Sequence, residues 1–358
     1  MAYTEHDVVK PEKIAATAAV ALEESLVVPA VFQREGVDQF KGASGDAINI
    51  KVEGVLPYRT YGWRNDRSTE LQFDTYAEKT VQVTFGGDVY SALQLTDEQN
   101  DFDLNGWAKL MAKQTEAVGK GLEYEAVDHL LKAPYAVTLG GAVNGRSLRK
   151  TLIRAREVLN KFRVSKEGRT LLVGSGWENE LLSDEDLNLA SNVGDAEAVS
   201  ALREATIGRR YGFNIVVSDE LPANTAVAMV SSAFVFATGA PSVPQSVPFG
   251  ASASYNGVAL RWIRDYDATR LVDRSVVNTY KGFRTITDHL IGRDAQTPSQ
   301  GFVSEHEHFV RAIKLDLDDD VDTLPDPDGT DEAAAELAQI TGVGATAPVG
   351  DGEGGIED

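Results

Sequence analysis

The chain contains no cysteine in its 358 residues. Disulfides, thiolate nucleophiles, zinc ribbons and iron–sulfur sites are thereby excluded. Histidine is scarce as well, with only His6, His129, His289, His306 and His308. No apolar run is long enough to cross a membrane as a helix. The first residues, MAYTEHDVVKPEK, have neither the basic start nor the apolar core of a secretory signal. Basic residues are missing after Lys314, whereas fourteen Asp and Glu lie between Asp316 and Asp358. The formal net charge of −21 is therefore uneven, and residues 1–315 carry only −7 of it. Neither portion offers the clustered Lys and Arg that a nucleic-acid reader needs.

Catalytic signatures are equally sparse. No GxxxxGK[ST] or GxGxxG motif is present. The GSG at 174–176 is not a nucleophile elbow, because Val173 stands at the first glycine position. Asp316, Asp318 and Asp320 begin like an EF-hand loop, but Val321 and Pro327 occupy the sixth and twelfth positions. His306 and His308 are expected on one face of a strand, where they supply at most half a metal site. No cofactor, resident metal or enzymatic activity is expected from these patterns.

What the chain does have is a long stripe. Leu104, Trp107, Met111, Thr115, Val118, Leu122, Ala126 and Leu130 step by threes and fours, predicting one helix over 104–132, about 40 Å long. Asp101 and Asp103 suit its positive end, and Pro134 stops it. Gly119 and Gly121 each lower helix propensity by about 1 kcal/mol relative to Ala, so close approach or a bend is expected there. A weaker, alanine-rich amphipathic helix is expected over 11–28, as a docking arm or an ordinary first helix.

Alternating runs at 45–52 (GDAINIKV) and 79–85 (KTVQVTF) predict two strands. The segment between them holds Tyr58, Arg59, Tyr61, Trp63, Arg64, Arg67 and Tyr76. So long a connection suggests a projecting hairpin, and these residue types anchor interfaces. After a Gly-rich link, Leu148, Leu152, Ala155, Leu159 and Phe162 mark an amphipathic helix with a basic, solvated outer face. Strands are expected at 169–177, 213–221 and 225–239, a capping box at 183–186 and a helix from Asp195 to Gly208, giving an interleaved α/β unit. Long strands follow from Asn256 on either side of a turn at RDYDAT (264–269), and HFVRAIKLDL closes the folded part near Leu317. The tail has the composition of a disordered linker with one helix candidate, Thr330 to Ile340, that could dock on a partner.

This order of elements resembles that of the tailed-phage major capsid proteins, whose fold is shared with herpesvirus shells and encapsulins. The resemblance spans about residues 11–317 and rests on PEKIA near the start, GDAINIKV, IGRRYGFNIVVSDELP (207–222) and GVALRWIRDYDAT (257–269). It implies an α+β chain divided as follows: N-terminal arm 1–40, peripheral domain 41–54, extended loop 55–78, peripheral domain with spine helix 79–134, axial domain 135–250, peripheral long strands 251–300, closing strand 301–317 and acidic tail 318–358. It further implies that the loop lies across an adjacent subunit through Tyr58, Arg59, Tyr61, Trp63, Arg64 and Arg67. Around the RDYDAT turn, Arg264, Asp265, Asp267 and Arg270 would exchange charge pairs with neighbours. The implied function is a coat protein of a virion, assembled in the host cytoplasm as pentamers and hexamers into an icosahedral shell. That shell would enclose DNA without sequence-specific binding and without a membrane. A separate scaffolding protein, a portal and a decoration protein are the implied partners, and the tail would dock on a neighbour or accessory protein. Two alternatives remain from sequence: an encapsulin-like nanocompartment shell, and a soluble α/β enzyme, which would pack Trp63 and Arg64 inside their own subunit.

Overall fold

The computed structural model describes residues 11–35, 47–61, 63, 70–76, 78–99, 107–141, 147–183, 209–247, 249–293 and 300–344. Helix α1 (Pro11–Ser25) leads through a short turn α2 (Val28–Val31) to strand β1 (Gln33–Glu35). Strands β2 (Ala47–Val52) and β3 (Lys79–Thr84) pair as an antiparallel ribbon, with Ile50 opposite Val81, and β4 (Gly87–Thr96) follows. The alternation in β3 has a plain cause. Val81 and Val83 pack on Val235, Ala237 and Ile286, while the residues between them stay exposed.

The long stripe folds as α3 (Trp107–Leu131), 25 residues and about 37 Å. Met111, Thr115, Val118, Leu122, Ala126 and Leu130 are all buried, so the period read from sequence is the packing period. The expected first turn and its Asp caps lie outside the described residues. Both glycines serve close approach. A Cβ on Gly119 would lie 2.5 Å from Ser25 Oγ and 3.3 Å from Leu22 Cδ1 of α1, and one on Gly121 would lie 2.7 Å from Val89 of β4. The first helix accordingly docks on its own chain. Ala15, Ala18, Ala19 and Leu22 are its buried residues, and small side chains let the two helices come together.

An α/β unit follows, with β5 (Thr138–Gly140), α4 (Leu148–Lys161), β6 (Arg169–Val173), α5 (Ser175–Ser183), β7 (Arg209–Arg210), β8 (Phe213–Val217) and β9 (Thr225–Val230). The strand expected over 169–177 stops at Val173, because Gly174 turns the chain into α5. The capping box at 183–186 extends beyond the described residues, and the helix expected from Asp195 falls wholly outside them. A 3-10 turn at Ser231–Ala233 then divides the run expected as one strand over 225–239. Its second half, β10 (Phe234–Gly239), enters a different sheet with β11 (Phe249–Tyr255), β12 (Val258–Asp267) and β13 (Val272–Thr285). That sheet runs β1-β10-β13-β12-β11, with β4 on the free side of β13, and α1 and α3 cover one face. The sheets therefore change over at 231–233 and not at the expected boundary of 250.

A small ribbon, β14 (Ile291–Arg293) with β15 (Gly301–Val303), precedes β16 (Ala312–Asp316). β16 inserts between β5 and β9, completing the second sheet in the order β5-β16-β9-β6-β8-β7. Its pairing is parallel to β5 and antiparallel to β9. The chain then departs from linker behaviour. Thr323 exchanges both backbone hydrogen bonds with Thr138, and helix α6 (Glu332–Thr341) follows. Asp331 caps α6 by accepting from Ala333 and Ala334, and Gly342 closes it at φ 64°. Leu337 and Val343 join the core of the α/β unit. The expectation of a free tail docking on a partner is thus corrected for residues 318–344, which pack on their own subunit. Enough apolar residues sit at helical spacing there to overcome the acidic composition.

Candidate functional site

Between β2 and β3 the chain leaves the ladder. Gly54 and Pro57 disfavour continued pairing, and the described residues of 53–78 form an extended arm with no regular strand beyond an isolated bridge between Arg59 and Gln300. The expectation of a projecting β-hairpin is corrected to this extent. Polar contacts fasten the base of the arm. Gly301 N–H donates to Tyr58 O at 2.8 Å, and the Tyr58 ring lies over Gly301, where a Cβ would approach it to 2.6 Å. Gly54 N–H donates to the Tyr76 hydroxyl at 3.3 Å. Arg59 bonds Asp74 and holds its carboxyl below the ordinary range. Lys79, where the arm rejoins β3, bonds Glu307 and the Thr287 hydroxyl, the latter at 3.1 Å.

Further out, apolar side chains stand in solvent. Trp63 is 92% exposed and Phe73 93%, and Leu56, Leu71, Tyr61 and Tyr76 are exposed too. These large aromatics take no part in the core of their own subunit. Of the six candidate arm residues, Tyr58, Arg59 and Tyr61 have contacts within their own subunit, Trp63 is presented outward, and Arg64 and Arg67 lie outside the described residues. The bareness of Trp63 is the opposite of what the enzyme reading required.

The second group of candidates is reassigned. β12 continues through Asp267, so the turn is 268–271 and not RDYDAT. Asp265 faces Arg274 directly across the β12–β13 pair, at 2.8 Å. Arg274 also reaches Asp267 at 3.4 Å, and Arg264 donates to Asp273 from Nε at 3.2 Å while stacking 4.1 Å from the Trp107 ring. The Thr269 hydroxyl and amide hold the Asp267 carboxyl below its usual range. Three of the four residues expected to pair with neighbours are thus used within the hairpin, and Arg270 alone stays exposed in the turn. RDYD and VDRS place opposite charges at facing positions once the register is known.

His306 and His308 do not share a strand face; both turn towards Glu336 of α6. Among the described residues no group of three or more metal-ligating side chains is arranged to hold an ion. A groove of about 1090 Å3 lies under the base of the arm, lined by Lys79, Asp288, His289, Glu307 and Arg311 among others. Of these, Lys79 bonds Glu307, and Arg311 bonds Asp288 through Nη2 and Nε, the former at 2.5 Å.

Sequence reasoning missed Glu123. It stands on α3 beside the apolar stripe, only 5% exposed. Its carboxylate accepts from the N–H groups of Val27 and of Val28, the latter at 3.2 Å, and so ties the end of the N-terminal arm to α3. Burial pushes this carboxyl above its ordinary value, and nearby Glu220 pushes the same way, against the two amides. Nothing in its local pattern marks it, since its partners are about 95 residues away. Glu123→Ala is expected to cost about 1–3 kcal/mol, the penalty for stranding buried N–H groups. Glu123→Gln, which keeps an acceptor, should cost less. Urea denaturation of the two variants measures the difference, and equal losses would assign the effect to packing.

A family model described as phage capsid protein matches residues 78–277. A structure from Mycobacterium phage Che8 superposes with TM-score 0.56 at 16% identity, covering 88% of this chain and 96% of that one. The mature capsid of bacteriophage PhiM1 gives 0.55 at 11% identity, covering 89% and 92%. The capsid of cyanophage P-SCSP1u gives 0.52 at 10% identity, covering 80% and 89%. At these identities the structural likeness is one of fold. No curated protein matches the sequence.

Proposed function

The chain belongs to the phage capsid protein family, and on that premise we propose how it builds a shell. It is a major capsid protein, a structural component of the virion. In the reading proposed here, the arm of residues 53–78 lies across an adjacent subunit, and copies associate as pentamers and hexamers into an icosahedral shell around double-stranded DNA. The observation that carries this reading is the pair Trp63 and Phe73, bare on an arm whose base is tied down. Each contact is modest, but every subunit makes it, and repetition around a closed shell supplies the stability.

The remaining partners follow from the same reading. A separate scaffolding protein and a portal would act during assembly in the host cytoplasm, and a decoration protein would bind the finished shell. The acidic balance suits a container. A wall that repels DNA lets the packed strand slide, whereas a basic wall would trap it. The role is structural, with no catalytic step assigned. An encapsulin-like compartment has less support, since the matching family and the three solved structures above are all from phages.

Expression of the chain alone and with its scaffolding protein, followed by sedimentation velocity and negative-stain electron microscopy, tests the proposal. Closed particles, or rings of five and six, are the expected products. A sharp monomer or dimer boundary under every condition would count against it.

A further inference from the structure

Three of the five histidines meet where α6 packs on the body. Glu336 stands at the centre. Its carboxylate accepts from the backbone N–H of Glu305 at 2.7 Å and of His306 at 3.0 Å, and lies 3.1 Å from His306 Nδ1. His308 Nε2 is 3.3 Å from the same carboxylate but makes no hydrogen bond, although the residue is only 4% exposed. His289 Nδ1 donates to Ser304 O at 3.0 Å, and its Nε2 lies 3.7 Å from Glu307.

The other charges of the junction are already matched. Glu307 is engaged by Lys79 of β3 and by the Thr287 hydroxyl at 2.7 Å. Asp288 and Arg311 bond each other, and Glu305 points to solvent. From the end of α4, Lys161 and Arg163 bond the carbonyls of Gly342 and Ile291. Glu336 faces His306 and His308, whereas His289 lies nearer Glu307. A proton on His308 brings positive charge to a buried Nε2 that has no well-placed hydrogen-bond acceptor.

We propose that this junction is an acid-sensitive latch, in which protonation of the buried His308 releases α6 and its flanks, residues 325–344, while the two sheets stay folded. The apolar hold on the released segment rests on few side chains, Leu337 and Ala338 of α6 with Pro325 and Val343 in its flanks. The stretch nearer β16 is excluded from the release because Thr323 is bridged to Thr138 and Asp322 accepts from Gly140 N–H at 3.0 Å.

Burial holds His308 below its ordinary value of 6.5, against the pull of Glu336, and His306 and His289 push it further down. Burial alone would raise Glu336, but the amides of His306 and Glu305 and the His306 ring outweigh it and hold it below 4.5. Both groups therefore bind protons less readily when docked than when released. The docked state is fully favoured above about pH 6.5 and weakens as pH falls towards the docked value of His308. Glu336 withdraws its share in a second step below 4.5.

The latch is a property of the single subunit and does not rest on the arm making the shell contact. Hydrogen exchange with mass spectrometry on the full-length subunit between pH 7.5 and 5, corrected for intrinsic rates, tests it. Protection over 332–341 is expected to fall by up to tenfold per pH unit below 6.5, the slope of one proton, while β9 stays protected. His308→Gln should flatten that fall. Constant protection of α6, loss in step with β9, or an unchanged pH profile in His308→Gln would overturn the proposal. The comparison of α6 with β9 in the native chain stands by itself if the variant fails to fold.

Discussion

Replacing Trp63 by alanine is expected to raise the subunit concentration needed for assembly by about 30-fold, with no change in the thermal midpoint of the free subunit. The size follows from a loss of about 2 kcal/mol, as is common when an aromatic anchor is truncated at an interface, at tenfold per 1.4 kcal/mol. The absence of a stability cost follows from its exposure of 92%, which leaves little within its own chain to lose. Phe73→Ala should act in the same direction. Arg59→Ala makes the useful contrast, since it breaks the bond to Asp74 at the base of the arm and acts through the arm's placement. Light scattering against subunit concentration, with calorimetry on the same samples, separates the two effects. A Trp63→Ala protein that assembles at the native threshold would remove the arm from the contact surface.

Gly174→Ala should have the largest effect on folding. β6 ends at Val173 and the chain turns at once into α5, with Gly174 N–H donating to Thr225 O at 3.1 Å and Gly176 N–H to Ala223 O at 2.9 Å. Trp177 follows, fully buried, its Nε1 donating to Asn224 O at 2.7 Å. A Cβ on Gly174 would lie 2.2 Å from Pro222 O and 2.9 Å from Ala223 O. These are backbone atoms, and Pro222 O is held by Thr225 N–H at 3.0 Å, so nothing can swing aside. The cost is expected to reach or exceed the upper end of overpacking penalties, about 3 kcal/mol, and to abolish soluble expression of a marginal subunit. Gly86→Ala is the matched control: no atom lies within 4 Å of the added carbon, and the change should be neutral or stabilise by about 0.4–1 kcal/mol. Soluble yield and urea midpoints of the two variants decide the matter. A Gly174→Ala subunit with a near-native midpoint would show that the 222–225 turn retreats easily.

The same glycine shows where reading along the chain runs out. GSG at 174–176 is recognisable only as a motif that fails to be catalytic, and its purpose lies in a backbone some fifty positions away. The stretch 225–239 is a second case. Its continuous apolar character predicts strand, but periodicity is blind to a run whose halves are buried on both faces of two different sheets. The arm is the reverse case. The aromatic and arginine content of 55–78 makes an interface the expectation from sequence, whereas the split between Tyr58, turned onto Gly301, and Trp63, turned out, required coordinates.

Taken by itself, the sequence determined the helices α1, α3 and α4, most of the strands, the absence of cysteine chemistry and the order of elements that resembles a capsid subunit. These are properties of spacing and residue type, set by interactions between residues three or four apart or by strand alternation. Only the tertiary structure decided which sheet each strand joined, that Arg264, Asp265 and Asp267 are used within their own hairpin, that Glu123 ties down the N-terminal arm, and that residues 318–344 return to the body. Each of those outcomes depends on a partner that spacing does not identify, nine residues away for Arg264 and Asp265 and about 95 for Glu123. A carboxylate or a guanidinium carries no mark of whether it will meet a neighbouring strand, a backbone amide or solvent, and that choice is made by packing.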